Sequence, residues 1–445
     1  MFKRRIEALF AEWKRTPNHK PLVIKGCRQC GKTYSVLAFA KANYKHVIYL
    51  DFFKHPEYKS AFSGSLDVDV ITRQITAAIP LAEFIVGETC LILDEIQDCP
   101  RARTSLKYFQ LDGRYDIICT GSLLGVQGYK NKEQQKEDAN APIPVGYEQI
   151  ETMYPMDFEE FLWANKISQS TINYLQECLL LEKPIDELTH LSLRTHLLNY
   201  VVVGGMPAVV NVFLETNNMQ KVHNTQEDIL NEYRYDMIKY ASNADKSRII
   251  ECFNSIPKQL ARENKKFMYS AVQNNARGRD YAGCLQWIED AGMVQRAYNT
   301  QMTELPLDGN AISSEFKVYM SDTGLFISML EEGTASSILQ GQLGAYKGAI
   351  YENLMADILG KLGRKLYYYH KEGGVELDFL IRYKGECVPI ECKARTGNAK
   401  SLKTVMKNEE KYHVMHAVKL GDYNVGREEK LLTLPFYMGF LLKDY

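Results

Sequence analysis

A loop near the start of the chain has the residue types and spacing of a phosphate-binding site. In GCRQCGKT, at residues 26–33, Gly26, Gly31, Lys32 and Thr33 match the pattern G-x-x-x-x-G-K-[ST]. In such a loop the backbone N–H groups surround the phosphates, the lysine reaches the β and γ phosphates, and the hydroxyl binds Mg²⁺. The loop therefore predicts a site for ATP with Mg²⁺, in which Lys32 is catalytic and Thr33 is a metal ligand.

The same loop contains a second chemical pattern, because Cys27 and Cys30 form C-x-x-C. This spacing is typical of a redox pair or of half a metal site, but no second C-x-x-C and no histidine pair follows at metal-ligand spacing. We therefore expect Cys27, Arg28, Gln29 and Cys30 to fill the variable positions of the loop and, with Tyr34, to contact the nucleotide. Oxidation of the cysteine pair, which would close the nucleotide site, stays open as an alternative.

The segments on both sides of the loop have the character that a phosphate loop requires. KPLVIKG, before the loop, is a short apolar segment typical of a strand. KTYSVLAFAKANY, after the loop, has the apolar spacing of a helix. The order strand, loop, helix favours phosphate binding over a chance match.

Two further apolar segments predict the strands that complete the ATP site. The apolar run of LILDEIQ ends at Asp94 and Glu95. The apolar run of YDIICTGSLLG ends at Thr120 and Ser122. A strand that delivers Asp94 beside the loop completes the Mg²⁺ site, and Glu95 can polarise the attacking water. Thr120 and Ser122 are expected close to the γ-phosphate. The alternative, a buried strand that ends in an acidic turn, is weaker because the phosphate loop is present.

Near the C-terminus, GGVELDFLIRYKGECVPIECKA predicts two strands joined by a Lys-Gly turn. In the second strand Glu391 and Lys393 are two residues apart and share a face, and ordinary hairpin register brings Asp378 near them. Asp378 and Glu391 can hold a divalent metal, Mg²⁺ or Mn²⁺, while Lys393 positions or polarises a water. Glu352, on an amphipathic helix upstream, is a further candidate metal ligand.

A helix with Glu, a strand with Asp and a strand with E-x-K form the arrangement of PD-(D/E)xK nucleases. Every residue needed for metal-dependent hydrolysis is present, so Asp378, Glu391 and Lys393 are candidate catalytic residues. Two alternatives stay open: nuclease-like domains also serve as binding platforms, and an acid-rich hairpin is also a common solvated edge.

Four segments, IKGCRQCGKT, LILDEIQ, TGSLLG and YPMDFEEFLWA, together resemble a large prokaryotic family of AAA-like P-loop ATPases. The resemblance covers nearly the whole chain, because the family ends in a domain of poorly known function that resembles PD-(D/E)xK nucleases. Arg28 and Gln29 match the usual loop of the family, whereas Cys27 and Cys30 stand where Pro and Val are commoner. Many members carry an arginine shortly before the Y-P-x-x-F-x-E-F segment, where this chain has Tyr147, so that arginine does not carry over to this chain; supply of an arginine by another subunit stays open.

We predict an α/β fold in four parts. A P-loop AAA-like ATPase domain spans residues 1–165, and a helical lid spans 166–250, where STINYLQECLLLE and TQEDILNEYRYDMIKYA have helical spacing. A winged-helix-like segment follows at 251–335, and a PD-(D/E)xK nuclease-like domain at 336–445. Within the lid, VVVGGMPAVV predicts a tight bend at its two glycines.

The winged-helix-like segment suggests contact with DNA. Its predicted order is helix, short helix, helix and strand, with ELPLDGNA as a wing-like turn. Residues 246–300 contain nine Lys or Arg against five acidic residues, and Arg277 and Arg279 lie at the N-terminal end of the helix that would face a duplex. This small excess leaves open the alternative of a packing module with solvated charges.

The composition limits the environment and the partners of the protein. At 445 residues the chain is too long for one ordinary core, and its net charge of −1 gives no general attraction to nucleic acid or membrane. No segment approaches the ~18 consecutive apolar residues of a membrane span. The ten cysteines are scattered singly or lie in apolar strands, as reduced thiols do. We expect a cytoplasmic protein without membrane contact; monomer, dimer and ring assembly are all compatible with the sequence.

The sequence leads to two hypotheses of function. In the first, an ATPase governs a metal-dependent nuclease directed at DNA. In the second, a signalling ATPase switches between states, and the C-terminal domain only binds a protein or a nucleic acid. Loss of Lys393 separates the two, because it abolishes cleavage under the first hypothesis and spares ATP-dependent behaviour under the second.

Overall fold

The residues that the computed structural model describes form two compact units. Of the described residues, the first unit contains those within 3–155 and 236–246, and the second contains residue 2 and those within 156–235 and 247–445. The described residues are 2–122, 144–240, 245–262, 265–274, 276–342, 346–371, 374–393 and 399–443. The finer division of the chain into four parts stays a prediction.

The first unit is an α/β structure built on a five-stranded sheet. In chain order its elements are α1 (Ile6–Arg15), β1 (Leu22–Lys25), α2 (Lys32–Asn43), β2 (His46–Asp51), α3 (Val68–Ala78), β3 (Thr89–Asp94), α4 (Pro100–Asp112), β4 (Asp116–Gly121) and β5 (Gln149–Thr152). All strand pairs are parallel, in the order β2-β3-β4-β1-β5. Every residue of β3 is buried, as expected for a parallel sheet that helices cover on both faces.

The strand order brings the predicted ATP-site residues to one edge of the sheet. β4 lies between β1 and β3, so one strand separates the phosphate loop from the acidic end of β3. Parallel strands place their carboxyl ends at the same edge, which is where ligands bind in such sheets. Asp94 at the end of β3 and Thr120 in β4 therefore meet the loop that follows β1. The predicted order of strand, loop and helix is confirmed by β1 and α2.

The second unit begins with helices and continues into an eight-stranded mixed sheet. Its helices are α5 (Phe158–Ala164), α6 (Gln169–Leu180), α7 (Glu187–Val203), α8 (Pro207–Thr216), α9 (Met219–Tyr240), α10 (Lys246–Leu260), α11 (Gly278–Asp290), α12 (Leu307–Asn310), α13 (Thr323–Ser328), α14 (Thr334–Leu339), α15 (Lys347–Lys361), α16 (Lys400–Lys407) and α17 (Glu409–Tyr412). Its strands are β6 (Val294–Thr300), β7 (Ala311–Met320), β8 (Leu366–His370), β9 (Glu376–Tyr383), β10 (Glu386–Lys393), β11 (Ala417–Gly421), β12 (Gly426–Glu428) and β13 (Leu431–Pro435).

The strands of this sheet follow the order β12-β13-β11-β10-β9-β8-β6-β7. By their contacts, the C-terminal end of α9 from Asp236 onward and the first residue of α10 belong to the first unit. Within the described ranges, none of the helices is both long enough and apolar enough to cross a membrane.

The hairpin predicted near the C-terminus is confirmed. β9 and β10 pair in antiparallel register, with Ile381 opposite Val388. They are joined by Lys384 and Gly385, whose φ angles are both positive, at 50° and 81°. Two consecutive residues of this kind form the tight turn whose twist matches that of paired strands.

The winged-helix-like segment has the predicted order of elements. α10, a 3₁₀ turn at Tyr269–Ala271, α11 and the antiparallel pair β6–β7 follow one another. β6 also pairs in parallel with β8, so the hairpin is part of the eight-stranded sheet and does not stand out as a separate wing. A winged helix therefore stays a prediction.

A buried ionic network surrounds the glycine bend of the second unit. Lys361 Nζ lies 2.6 Å from Asp357 and 3.6 Å from Asp322. Asp322 accepts a hydrogen bond from the N–H of Gly205 at 2.7 Å. Gly204 has a φ of 73°, and a Cβ there would lie 2.2 Å from an oxygen of Asp322. The predicted tight bend is confirmed, because a side chain at Gly204 would collide with this network.

Candidate functional site

The phosphate loop depends on two glycines that no other residue could replace without strain. Gly26 has a φ of 153°, and a Cβ there would lie 2.0 Å from the carbonyl oxygen of Met153. Gly31 has a φ of 97° and immediately precedes α2. Between them, Arg28 and Gln29 form a turn in which Gln29 has a positive φ of 62°. The loop thus presents its backbone at the N-terminus of α2, where phosphates bind.

The lysine of the loop contacts the loop itself, and the threonine contacts the acidic end of β3. Lys32 Nζ donates hydrogen bonds to the carbonyl oxygens of Gly26 at 2.9 Å and Cys27 at 2.7 Å. Thr33 Oγ1 donates to the Asp94 carboxylate, at 3.2 Å and 3.0 Å from its two oxygens. A hydroxyl and a carboxylate side by side are oxygen ligands of the kind that Mg²⁺ prefers.

Asp94 is the centre of the hydrogen bonds in this site. Besides Thr33, it accepts from the Tyr49 hydroxyl at 2.6 Å, from the N–H of Glu95 at 3.1 Å and from the Thr120 hydroxyl. Burial raises the pKa of Asp94, and the nearby charge of Glu95 raises it further, while the hydrogen bonds from Tyr49 and Thr33 lower it. Partners on α2, β2 and β4 therefore fix the orientation of the Asp94 carboxylate.

Glu95 turns away from the strand that carries Asp94. Its φ is 50°, in the left-handed region that a non-glycine residue adopts only when its surroundings hold it there. Its carboxylate accepts hydrogen bonds from the Gln97 side chain and, at 3.3 Å, from Ser122 Oγ. Glu95 thus contacts Ser122 and Gln97, and the sequence did not indicate Gln97 as a partner.

The other predicted loop residues differ in their exposure. Cys27 and Cys30 are 3% and 0% exposed, whereas Tyr34, in the first turn of α2, is 59% exposed. Cys30 Sγ donates to the carbonyl oxygen of Met153 at 3.4 Å, and Arg4 donates to the carbonyl oxygen of Cys30 at 2.8 Å. The two cysteines are therefore part of the internal packing of the loop, and Tyr34 is open to a ligand.

Two residues of this site come from places that the sequence did not indicate. Asp236, near the C-terminal end of α9, lies 3.0 Å from the guanidinium of Arg28. Tyr49 lies on β2, where Asp51 pairs in register with Asp94. The signal for Tyr49 was the alternation of side chains, because a residue two before Asp51 shares its face.

The C-terminal hairpin brings its predicted residues together. Lys393 Nζ lies 2.5 Å from Glu391 Oε1, and Asp378 accepts a hydrogen bond from the N–H of Cys392 at 2.8 Å. Burial, and then the charges of Glu352 and Glu391, raise the pKa of Asp378 to about 8. The Asp378 carboxyl therefore holds its proton more tightly than an ordinary aspartate does.

Two lysines that the sequence did not predict pair with these carboxylates. Lys265 forms an ion pair with Glu352, and the buried Lys317 lies 3.7 Å from Glu352 and 3.0 Å from Glu376. Although burial acts to raise it, the two lysines hold the pKa of Glu352 below its ordinary value. Within the described residues, no group of three or more His, Cys, Asp or Glu side chains is arranged to hold a metal ion. The metal-ligand roles of the carboxylates stay predictions.

The two arginines predicted to face DNA lie at the start of α11. Arg277 immediately precedes this helix and Arg279 is in its first turn. The Arg279 side chain is largely exposed and lies 3.7 Å from Asp280. The position of the two arginines is compatible with binding of a polyanion. The exposed contact of Arg279 with Asp280 is typical of solvated surface charges.

Three segments of the chain match models of protein families. Residues 18–162 match a family described as AAA domain, and this range contains all of the sheet from β1 to β5. Residues 194–336 and 347–437 match two families described only as domains of unknown function, DUF8612 and DUF4143. The chain therefore contains an AAA-type P-loop ATPase domain, whereas the other two matches identify neither a nuclease nor a DNA-binding fold.

Solved structures that are similar to the chain include the following three. The Walker-type ATPase PABY2304 of Pyrococcus abyssi has 12% identity and a TM-score of 0.43, over 74% of this chain and 96% of that one. Cdc6p from Pyrobaculum aerophilum has 9% identity and a TM-score of 0.24, over 76% and 93%. PCH-2 of C. elegans has 16% identity and a TM-score of 0.21, over 41% and 47%. Similarities at this level carry no argument about function, and no curated protein sequence matches the chain significantly.

Proposed function

We propose that this protein binds ATP with Mg²⁺ at the phosphate loop and hydrolyses it. The observation that carries the proposal is the pair of hydrogen bonds from Thr33 to the Asp94 carboxylate. They join the loop after β1 to the end of β3, and so produce the hydroxyl and carboxylate pair that a nucleotide-bound Mg²⁺ requires. The match of residues 18–162 to the AAA family supports the same conclusion.

The residues of the loop have distinct roles in this reaction. The N–H groups from Cys27 to Thr33 surround the phosphates, and the Lys32 ammonium stabilises charge on the β and γ phosphates. Thr33 and Asp94 would hold Mg²⁺, which supplies positive charge between the phosphate oxygens when it is bound. Glu95 accepts a hydrogen bond from the attacking water and orients it toward the γ-phosphate, with Thr120 and Ser122 nearby.

The test is a steady-state ATPase assay on the wild-type chain, Lys32→Ala and Glu95→Gln. We expect Lys32→Ala to lose ATP binding and turnover, and Glu95→Gln to lose turnover while it still binds ATP. Lys41→Ala is a matched control, because Lys41 is an exposed lysine on the same helix. Undiminished hydrolysis by Lys32→Ala would contradict the proposal.

We propose, further, that the nucleotide state controls the C-terminal part of the chain, and two roles for that part compete. The convergence of Asp378, Glu391 and Lys393 favours metal-dependent cleavage of a phosphodiester, with DNA as the substrate. The pairing of Lys265 and Lys317 with the same group of carboxylates favours a role in partner binding, because it neutralises the charge that would attract a metal.

A cleavage assay with Mg²⁺ or Mn²⁺ separates these roles. It uses single- and double-stranded DNA and RNA, with and without ATP, and includes Glu391→Ala and Lys393→Ala. Cleavage that is lost in both Glu391→Ala and Lys393→Ala supports the nuclease role. A cleavage rate that depends on ATP supports control by the nucleotide state. Absence of cleavage by a protein that hydrolyses ATP supports the binding role.

The remaining partners belong to the same proposal. Arg277 and Arg279 at the start of α11 are the proposed contacts to DNA, and their loss should weaken binding more at low salt than at high salt. The proposed compartment is the reducing cytoplasm, because none of the ten cysteines, all within the described residues, forms a disulfide. Sedimentation with and without ATP would show whether the ATPase domain assembles into an oligomer.

A further inference from the structure

The two cysteines of the phosphate loop lie at the two ends of one tight turn. Arg28 and Gln29 occupy the middle of this turn. The first and fourth Cα atoms of such a turn are within about 7 Å, and disulfides usually join Cα atoms about 4.4–6.8 Å apart. The turn thus holds Cys27 and Cys30 within the Cα separation that a disulfide spans. A bond between them therefore requires only a small movement of the loop.

The surroundings of Cys30 favour its reactive thiolate form. Lys32 Nζ lies 4.0 Å from the Cys30 sulfur, and the Arg4 guanidinium contacts the Cys30 carbonyl oxygen. The hydrogen bond with Cys27, and then the charges of Lys32 and Arg4, lower the pKa of Cys30 against the effect of burial. Burial raises the pKa of Cys119 in the neighbouring strand instead. Cys30 is thus distinguished from a buried cysteine that only packs.

Burial restricts the oxidants that can reach this pair. Cys27 and Cys30 are almost completely enclosed, which excludes a bulky disulfide reagent. Hydrogen peroxide is small enough to enter when the loop opens slightly, and it reacts with thiolates. We propose that Cys27 and Cys30 are a modification site, at which hydrogen peroxide forms a disulfide that prevents the loop from binding ATP.

The proposed modification has two balanced steps. The Cys30 thiolate attacks one oxygen of hydrogen peroxide, the O–O bond breaks, and Cys30 sulfenic acid and hydroxide form. The Cys27 thiol then attacks the Cys30 sulfur, the S–S bond forms, and the hydroxyl group leaves as water with the proton of Cys27. The two cysteines lose two electrons in total, and peroxide gains them.

The disulfide and ATP exclude each other, a consequence that rests on the proposed ATP function. A bond between Cys27 and Cys30 tightens the turn and moves the N–H groups of Arg28 and Gln29 that the phosphates need. Misplacement of a positioning group by about 1 Å can lower a reaction rate by roughly a hundredfold, so a shift of this size at the N–H groups is enough to disturb the bound nucleotide. In the other direction, phosphates that attract Lys32 remove a cation from the Cys30 sulfur and make it less reactive. By thermodynamic linkage, each event opposes the other.

The test measures disulfide formation and ATP affinity on the same full-length protein. Reduced protein is treated with hydrogen peroxide, its free thiols are alkylated, and peptide mass spectrometry identifies the linked cysteines. We expect a disulfide between Cys27 and Cys30, a loss of ATP affinity of at least about tenfold, and full recovery with dithiothreitol. Saturating ATP should slow the formation of the disulfide.

Single variants identify the cysteines that are responsible. In Cys27→Ser and in Cys30→Ser the ATP affinity should be the same before and after peroxide, whatever its starting value. Cys99→Ser is the matched control: Cys99 is also buried in the first unit, and it caps α4, where serine is well tolerated. This variant should remain as sensitive to peroxide as the wild type.

Three outcomes would overturn the inference: no Cys27–Cys30 disulfide after peroxide, unchanged ATP affinity once the disulfide is complete, or full sensitivity of Cys30→Ser. A reduced protein that binds no ATP would overturn the proposed function together with the inference. A reduced protein that binds ATP but ignores oxidation would overturn the inference alone.

Discussion

The guanidinium of Arg28 in the phosphate loop lies 3.0 Å from the carboxylate of Asp236 near the end of α9. The two ends of this ion pair differ in their access to water, because the side chain of Arg28 is 24% exposed and that of Asp236 is 1% exposed. Arg28 can be hydrated when it moves, whereas a carboxylate in the position of Asp236 needs protein partners. Any ligand that attracts Arg28 therefore also acts on the end of α9.

This difference predicts an asymmetry between two substitutions. Arg28→Met removes a cation from a buried carboxylate and should lower the free energy of unfolding by about 2–4 kcal/mol, because breaking a buried pair from one side is costly. Asp236→Asn leaves a guanidinium that water can reach and should cost about 1 kcal/mol. Urea denaturation of both variants measures the difference. An equal loss, or a larger loss for Asp236→Asn, would contradict this account.

Tyr49 is predicted to position Asp94 for Mg²⁺. Its hydroxyl donates to Asp94 at 2.6 Å, and a hydrogen bond to a charged group contributes about 1.5–3 kcal/mol. Tyr49→Phe should therefore raise the Mg²⁺ concentration for half-maximal ATP hydrolysis by roughly tenfold or more, with a smaller change in the KM for ATP. The rate of ATP hydrolysis, measured at saturating ATP over a range of Mg²⁺ concentrations, tests this prediction.

Tyr44 provides a matched control for this prediction. Its hydroxyl also donates to an aspartate at 2.6 Å, but the acceptor is Asp116 at the start of β4, away from the loop. Tyr44→Phe should leave the Mg²⁺ dependence unchanged. If both variants, or neither, shift the Mg²⁺ requirement, Tyr49 has no special role in orienting Asp94.

The sequence predicts those parts of the site in which the residues that carry the chemistry also determine the local backbone structure. Gly26, Gly31, Lys32 and Thr33 are adjacent in the chain, and their glycines are needed for φ angles that other residues avoid. Asp94 is also predictable, because a fully apolar strand that ends in an acid is typical of a buried parallel strand. That these strand ends meet at one edge follows from parallel pairing, whereas the order of the strands does not.

The parts that the sequence does not predict depend on contacts between distant segments. Asp236 reaches Arg28 only because α9 ends beside the loop, and Lys317 reaches Glu352 only because β7 joins the same sheet as β9 and β10. Nothing in the local pattern of a helix or a strand distinguishes these charged residues from solvated ones. Their importance becomes visible when the low exposure of Asp236 and Lys317 is known.

A pH dependence of stability is predicted for the pair His19 and Asp116. The hydrogen bond to Asp116, at 3.0 Å from His19 Nε2, raises the pKa of His19 above its ordinary value, against the effect of burial. Because the folded state then binds the proton more tightly than the unfolded state, the stabilisation is complete below the unfolded pKa and is lost as pH rises through the folded pKa.

His19→Gln tests this sign. The variant should be less stable than the wild type at about pH 6, and the difference should shrink as pH rises through the raised folded-state pKa of His19. Thermal unfolding of both proteins over this range measures the change. A difference that grows with pH would show that the pair does not stabilise the protonated histidine.

The buried Lys361 is predicted to be essential for the stability of the second unit. It lies 2.6 Å from Asp357 and also donates to the Tyr200 hydroxyl at 2.9 Å. Lys361→Met keeps most of the side-chain volume but leaves two buried carboxylates without their cation, which should cost about 3–5 kcal/mol.

Lys365→Met is the matched control, because Lys365 pairs with the exposed Asp308 at 2.7 Å and such surface pairs contribute about 1 kcal/mol or less. Chemical denaturation should therefore show a large loss for the first variant and almost none for the second. Similar losses in both would mean that water or another group compensates the buried carboxylates when Lys361 is absent.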